Sequence, residues 1–143
     1  MKEPGITLLF RGRVSRDIRA ELRRLAEAIP AVSPPRHRIQ VNVVPNPCVG
    51  GPEDGYGFGA CLTPGAAGAT VKGFDVGIYV AAGLAEICQQ HGDSRAEAVG
   101  MVAHTFLHEY AHYEQFRDGR PVQERGVNVR ARTLARRLSG VSG

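Results

Sequence analysis

Ser94 and Glu97 begin the segment that most constrains how this chain can fold. They form the S-x-x-E pattern of a capping box, which stabilises the first turn of a helix. The pattern predicts a helix from residue 95 to about residue 116, ended by Asp118-Gly119. Apolar residues cover much of its circumference, so the helix is expected to be central and largely buried. These residues are Val99, Val102, Phe106, Leu107, Tyr110, Tyr113 and Phe116.

Residues 108–112 of this helix read His-Glu-Tyr-Ala-His, the H-E-x-x-H pattern. Positions four apart lie one turn above each other on one helix face, so His108 and His112 can direct two imidazoles at one metal ion. Glu109 lies beside them, where its carboxylate can take a proton from a water on the metal. The pattern predicts a Zn²⁺ site with one ion per chain, although Mn²⁺, Co²⁺ or Ni²⁺ could use the same ligands.

A hydrolytic zinc site usually has three protein ligands and a water. Glu124 is the candidate third ligand, because it shares the inward stripe of a last helix that is expected to begin near Pro121. A carboxylate that faces the core is costly unless it is paired or bound to a metal. The alternative is a first-turn glutamate that only complements the helix dipole. Asp118 competes in a metzincin-like spacing, but Gln115 replaces the helix-ending glycine, so Asp118 is expected to serve only a loop.

Other polar residues near the motif have two interpretations each. Asn128 lies one turn after Glu124 and could accept a hydrogen bond from a zinc histidine or pack at a helix seam. His104, one turn before the motif, is expected to be a satisfied core histidine, with a hydrogen bond to the metal site as the alternative. His37 and His91 are expected in surface loops.

The whole chain predicts an α+β fold of the zincin type, with residues 1–143 as a single domain. A small twisted mixed sheet of about four strands is expected to pack on the central helix, between N-terminal and C-terminal helices. Strands are expected at residues 6–10 (buried), 39–44, 56–63 and 74–80. Helices are expected from Ser15 to Pro30, at 83–90 and along Val127, Ala131, Leu134 and Leu138. Loops are expected at 45–57 and 64–69. Glycines in residues 58–63 suit a sheet edge to which a peptide could add.

Charge and cysteines narrow the possible partners and the location. The net charge is +4, but no aromatic residues are interleaved with the terminal arginines, which argues against a nucleic-acid partner. The three cysteines are far apart and lack a C-x-x-C pair, which argues against a thiolate zinc site and favours a reducing compartment. Without a secretory signal or a membrane-length apolar stretch, the protein is expected to be cytoplasmic and away from membranes. The oligomeric state stays open.

Residues 108–115, followed by Glu124, resemble the gluzincin zinc metallopeptidases, above all the compact minigluzincins. The resemblance covers about residues 94–138, and the upstream β-α-β-β-β order is similar to a zincin upper subdomain. It implies that the two motif histidines and Glu124 bind zinc and that Glu109 is the general base and acid. Asn128 stands where thermolysin-like enzymes carry an aspartate.

The resemblance implies a zinc metallopeptidase that hydrolyses peptide bonds in peptide or protein substrates, as an endopeptidase rather than an exopeptidase. Thermolysin-like enzymes stabilise the oxyanion with a downstream His and Tyr, and this chain has neither after Tyr113. Tyr110, Tyr113 or Arg130 would have to substitute. One alternative is a zinc-binding regulatory or interaction module with little turnover. The other is a metal-dependent endoribonuclease, which wants a histidine at the place of Asp118 and needs no Glu109.

Overall fold

The computed structural model describes residues 3–51, 55–64 and 73–141. These residues form an α+β fold with a four-stranded mixed sheet in the order β1-β2-β6-β5. β1, β2 and β6 are parallel, β5 runs antiparallel to β6, and β3 pairs with β4 in a separate antiparallel hairpin. The elements are β1 (Gly5–Phe10), α1 (Arg16–Val32), β2 (Arg38–Val44), β3 (Val49–Gly51), β4 (Gly55–Gly57), β5 (Gly59–Leu62), β6 (Val76–Ala81), α2 (Leu84–Gln90), α3 (Arg95–Arg117) and α4 (Val127–Ser139).

Alternation along β2 determines which face of the sheet carries the core. Val41 and Val43 are fully buried and belong to one apolar cluster with residues of all four helices. Gln40 and Asn42 point to the opposite face, where the Asn42 amide donates to Gln40 Oε1 at 2.9 Å. Arg11 Nη2 donates to Asn42 Oδ1 at 3.1 Å, so the buried amides have partners. The helices therefore pack on the apolar face of the sheet.

Helix α3 is the central, largely buried helix that the sequence predicts. Its capping box is formed, since Ser94 Oγ accepts from Glu97 N at 3.1 Å and Glu97 Oε1 accepts from Ser94 N at 2.9 Å. The helix contacts β5, β6 and the other three helices. Among the described residues, no helix combines the length and the apolar character that crossing a membrane requires.

Glu114 ties α3 to α1 and α4. Its side chain is 1% exposed and accepts from both Nε and Nη2 of Arg130, at 2.8 and 2.7 Å. Ser33, at the end of α1, donates to the same carboxylate, and Arg117 donates to Ser33 Oγ at 2.8 Å. Because a buried carboxylate without partners is costly, these contacts hold α1 and α4 against α3.

Several boundaries differ from the sequence expectations. α1 continues past Pro30 to Val32. The proline lacks only its own N–H, and the N–H of Ser33 still bonds to Ile29 O at 2.8 Å. β1 is half-buried rather than buried, since it lies at an edge of the sheet. Residues 45–57 include the paired strands β3 and β4, and the strand expected at 56–63 is divided between β4 and β5. The loop expected at 64–69 lies, after Pro64, outside the described residues.

α4 begins at Val127 and not near Pro121, as the proline signal suggested. Gly126 precedes the helix with φ at +81°, a left-handed conformation that favours glycine. Residues 121–126 form an irregular segment, so Glu124 lies in a loop and not on the inner stripe of the helix. The stripe itself is confirmed, since Val127, Ala131, Leu134 and Leu138 are buried.

Candidate metal centre

The structure brings together His108, His112 and Glu124, the three residues that the sequence selected as metal ligands. Their ligating atoms lie within 4.8 Å of one another. Glu124 Oε2 is 2.8 Å from His112 Nε2 and 3.3 Å from His108 Nε2. The Glu124 side chain is 74% exposed, so avoidance of an unpaired buried carboxylate cannot be what directs it to the histidines. A contact with Gln115 accounts for its position instead.

Gln115 holds the segment that carries Glu124 and also orients His112. Its Nε2 donates to Gln123 O at 2.9 Å, and its Oε1 accepts from Gln123 N at 3.1 Å. A backbone N–H can only donate and a backbone C=O can only accept, so these two bonds determine the orientation of the amide. Gln115 Oε1 is also 3.0 Å from His112 Nδ1, which must therefore carry the hydrogen. A neutral His112 then directs the lone pair of Nε2 at Glu124.

Asn128 orients His108 as Gln115 orients His112. Its Oδ1 is 2.9 Å from His108 Nδ1, so that nitrogen donates and Nε2 keeps its lone pair. This contact selects the first of the two interpretations of Asn128, a bond to a motif histidine. The same oxygen is 3.2 Å from His104 Nε2. His104 therefore lies beside the site, and the expectation of a core histidine was wrong.

Three electron-pair donors thus meet when both imidazoles are neutral. Only a cation can lie between them favourably, either a proton or a metal ion. Burial raises the pKa of Glu124, but when His112 and His108 are protonated their positive charges outweigh that effect and hold this pKa below its ordinary value. Two imidazole nitrogens and a carboxylate oxygen are a donor set typical of zinc and related divalent ions. The residues present therefore fit a metal ion.

Glu109 is buried next to this cluster, with 7% of its surface exposed. Burial raises its pKa to about 7, with His108 acting in the opposite direction and Glu124 adding to the rise. Strand β5 passes directly over the carboxylate. A Cβ at Gly59 would lie 2.8 Å from Glu109 Oε2 and 2.8 Å from Thr105 Cγ2, so any side chain there would displace its neighbours.

A cleft of about 660 Å³ opens from the cluster along α3. One wall comes from the start of β5, α2 and the first half of α3, and the other comes from α4. Arg132 belongs to the second wall. Neither Arg132 nor Gln115 was predicted from the sequence as a site residue. Their only signals were the four-residue spacing from Asn128 and the three-residue spacing from His112. The lining residues are Phe58, Gly59, Leu84, Met101, His104, Thr105, His108, Glu109, Glu124, Asn128 and Arg132.

The residues expected to substitute for an oxyanion-stabilising His or Tyr are engaged elsewhere. Tyr110 and Tyr113 are fully buried, and their hydroxyls bond to backbone atoms of residues 33–36, at 2.7 and 2.9 Å. Arg130 is committed to Glu114. The cleft itself is lined by three other polar side chains, His104, Asn128 and Arg132.

Other residues singled out from the sequence lie away from the cluster. Asp118 ends α3 and pairs with Arg117 at 2.8 Å, in agreement with a loop role. His37 lies in the loop between α1 and β2, as expected, but it is half-buried, with Nδ1 2.7 Å from the Tyr113 hydroxyl. His91 is exposed at the end of α2.

Comparisons with protein-family models, with curated proteins and with solved structures found no match for this chain. Its function is therefore inferred from the site.

In metal-free protein, under conditions in which the ¹⁵N shifts show both imidazoles to be neutral, we expect His108 and His112 to carry their hydrogens on Nδ1. Long-range ¹H–¹⁵N NMR correlations report this directly. Gln115→Leu should remove the preference at His112 and leave His108 unchanged. Gln123→Ala is the matched control, because Gln115 contacts the backbone of Gln123 and not its side chain. A hydrogen on Nε2 of His112 in the wild-type protein would contradict the assignment.

Glu109 should make metal-free protein lose stability as pH rises. Its pKa of about 7 in the fold exceeds the value of about 4.3 expected for an unfolded chain. Between these values the unfolded chain binds fewer protons, so the free energy of unfolding falls as pH increases. Between pH 5 and pH 8, the free energy of unfolding measured with urea should fall by about 1–3 kcal/mol less in Glu109→Gln than in the wild-type protein. Glu27→Gln, in an exposed position of α1, is the control, and an equal slope in both variants would refute the prediction.

Proposed function

We propose that this protein is a zinc-dependent peptidase of the zincin type, in which His108, His112 and Glu124 hold one zinc ion. Glu109 acts as the general base and acid. One observation carries the proposal: two imidazoles held with Nε2 lone pairs toward one carboxylate, beside a buried glutamate. The order of these residues along the chain resembles that in gluzincins, which adds support from the sequence.

The sheet edge beside Glu109 supports a peptide substrate. β5 is the last strand of the sheet, and Phe58 O accepts from Ala81 N at 2.8 Å. Bonding alternates along an antiparallel pair, so the next residue, Gly59, directs its N–H and C=O to the outer edge. No described strand pairs with that edge. An extended peptide added there would pass over Glu109, with backbone bonds that do not depend on its sequence.

The chemistry follows from the positions of these groups. Zinc, when bound, supplies a Lewis acid that lowers the pKa of water and polarises a carbonyl. Glu109 is placed to take the proton from the attacking water as the C–O bond forms. It then passes the proton to the leaving amine as the C–N bond breaks. Burial supports both transfers, because it raises the proton affinity of the carboxylate and excludes competing water.

Two other chemistries have less support. An endoribonuclease of the kind considered above needs a third ligand six residues after the motif, and Asp118 at that position is paired with Arg117. Burial, with a contribution from Glu109, raises the pKa of Cys61 to about 12, which argues against thiolate chemistry near the cleft. A regulatory zinc module has the same metal site and is separated from a peptidase by the experiments below.

Purified protein should bind about one zinc ion per chain, as measured by elemental analysis and competition with a chromogenic chelator. Glu124→Ala should weaken zinc binding about 100-fold, because it removes the only carboxylate of the cluster. Asp118→Ala is the control and should leave the affinity unchanged. The reverse result, with loss only in Asp118→Ala, would replace the gluzincin assignment by a metzincin-like one.

Glu109→Gln should keep zinc and the fold while peptide cleavage falls by about 10²–10⁴-fold, the usual contribution of a general base. The measurement is cleavage of a fluorogenic peptide library by zinc-loaded protein, with Glu27→Gln as the control. Cleavage at the wild-type rate by Glu109→Gln would show a structural role for this residue. Zinc binding without cleavage by either protein would favour the regulatory module, and chelator-sensitive RNA cleavage would favour the endoribonuclease.

A further inference from the structure

Arg132 stands out in the cleft because its charge is not neutralised. It is exposed, lies one turn after Asn128 on α4 and lines the cleft. It forms no ion pair with any residue in the described part of the chain. Arg117 and Arg130, by contrast, are paired with Asp118 and Glu114. The guanidinium of Arg132 is therefore available to an anionic ligand.

Arg132 is close enough to act on the residues that flank a cleaved bond. Asn128 bonds directly to His108, and Arg132 follows about 6 Å further along the helix axis. An extended peptide advances about 3.3 Å per residue. A group bound by Arg132 would thus lie about two residues from the bond at the metal cluster.

The rest of the cleft favours a mixed apolar and anionic ligand. Phe58 and Met101 line the opposite wall and remain 45% and 44% exposed, a large exposure for such side chains. The charge of a bound zinc ion exceeds that of Glu124, and Arg132 adds another positive charge. The loaded cleft is therefore positive even with Glu109 ionised, which complements an acidic ligand.

We infer that Arg132 selects peptides that carry a carboxylate within about two residues of the cleaved bond, together with an apolar side chain on the opposite wall. This inference rests on the proposed function. A guanidinium fits a carboxylate through two parallel hydrogen bonds, which a neutral amide cannot match. The carboxylate can come from an acidic side chain or from the C-terminus of the substrate.

Four matched peptides test the inference. They share an apolar residue next to the cleaved bond and differ in Glu or Gln two residues away and in a free or amidated C-terminus. Wild-type protein should prefer the carboxylate over the amide by about tenfold in kcat/KM. Arg132→Gln should abolish that preference by raising KM for the carboxylate peptides about tenfold, to the value for the amide peptides. Arg136→Gln, an exposed arginine one turn further that does not line the cleft, should keep it. The peptide pair that shows the preference identifies the source of the carboxylate.

Binding measurements separate this inference from the proposed function. Fluorescence anisotropy with the same peptides on zinc-loaded Glu109→Gln protein requires no turnover. Cleavage without carboxylate preference, or a preference that survives Arg132→Gln, overturns the inference and leaves the peptidase standing. If no peptide is cleaved but binding depends on the carboxylate and that dependence is lost in Arg132→Gln, the role of Arg132 stands and the peptidase proposal fails. Equal binding of all four peptides, or no binding, overturns it.

Discussion

The central helix carries polar side chains into the interior, and other elements supply the partners of Glu114 and Gln115. Glu114 receives Arg130 from α4 and Ser33 from α1, and Gln115 takes the backbone of the segment before α4. No buried side-chain nitrogen or oxygen in the described parts of the chain lacks a partner. Leaving a buried polar group unpaired costs about 1–3 kcal/mol. These polar contacts therefore act with apolar packing to position α1 and α4. The candidate metal centre adjoins the contact of Gln115, which is 3.0 Å from His112 Nδ1.

Local signals in the sequence were sufficient for much of the fold. The capping box at Ser94 and the alternation in β2 and β6 predicted those elements within a few residues. The start of α4 was predicted wrongly, because a contact between α3 and the segment that follows it overrides the proline signal at Pro121. Gln115 holds the backbone of Gln123, and the chain enters the helix only after the left-handed turn at Gly126. Periodicity within one element carries no information about such a contact.

The candidate site could be predicted only where helical spacing determines the geometry. The spacing of His108 and His112 predicted that both lie on one face of the helix, and in the structure both imidazoles contact Glu124. Glu124 was selected for a reason that does not hold, since it is exposed and in a loop. The roles of Gln115 and Arg132 depend on how α4 and the preceding segment lie against α3. That arrangement follows from tertiary packing, and no motif within a single element encodes it.

The exposure of Glu124 bears on how quickly such a site could be filled and emptied. Two imidazoles on a buried helix would hold an ion from the protein side, while the carboxylate closes the site from the solvent side. The exposed Glu124 side chain can rotate away while Gln115 keeps its two bonds to the backbone of Gln123. Ion exchange would then require only a side-chain motion, which takes picoseconds to nanoseconds in exposed residues, and no unfolding of the core. A site built this way would follow the metal supply around the protein and would not retain the ion that was present when the chain folded.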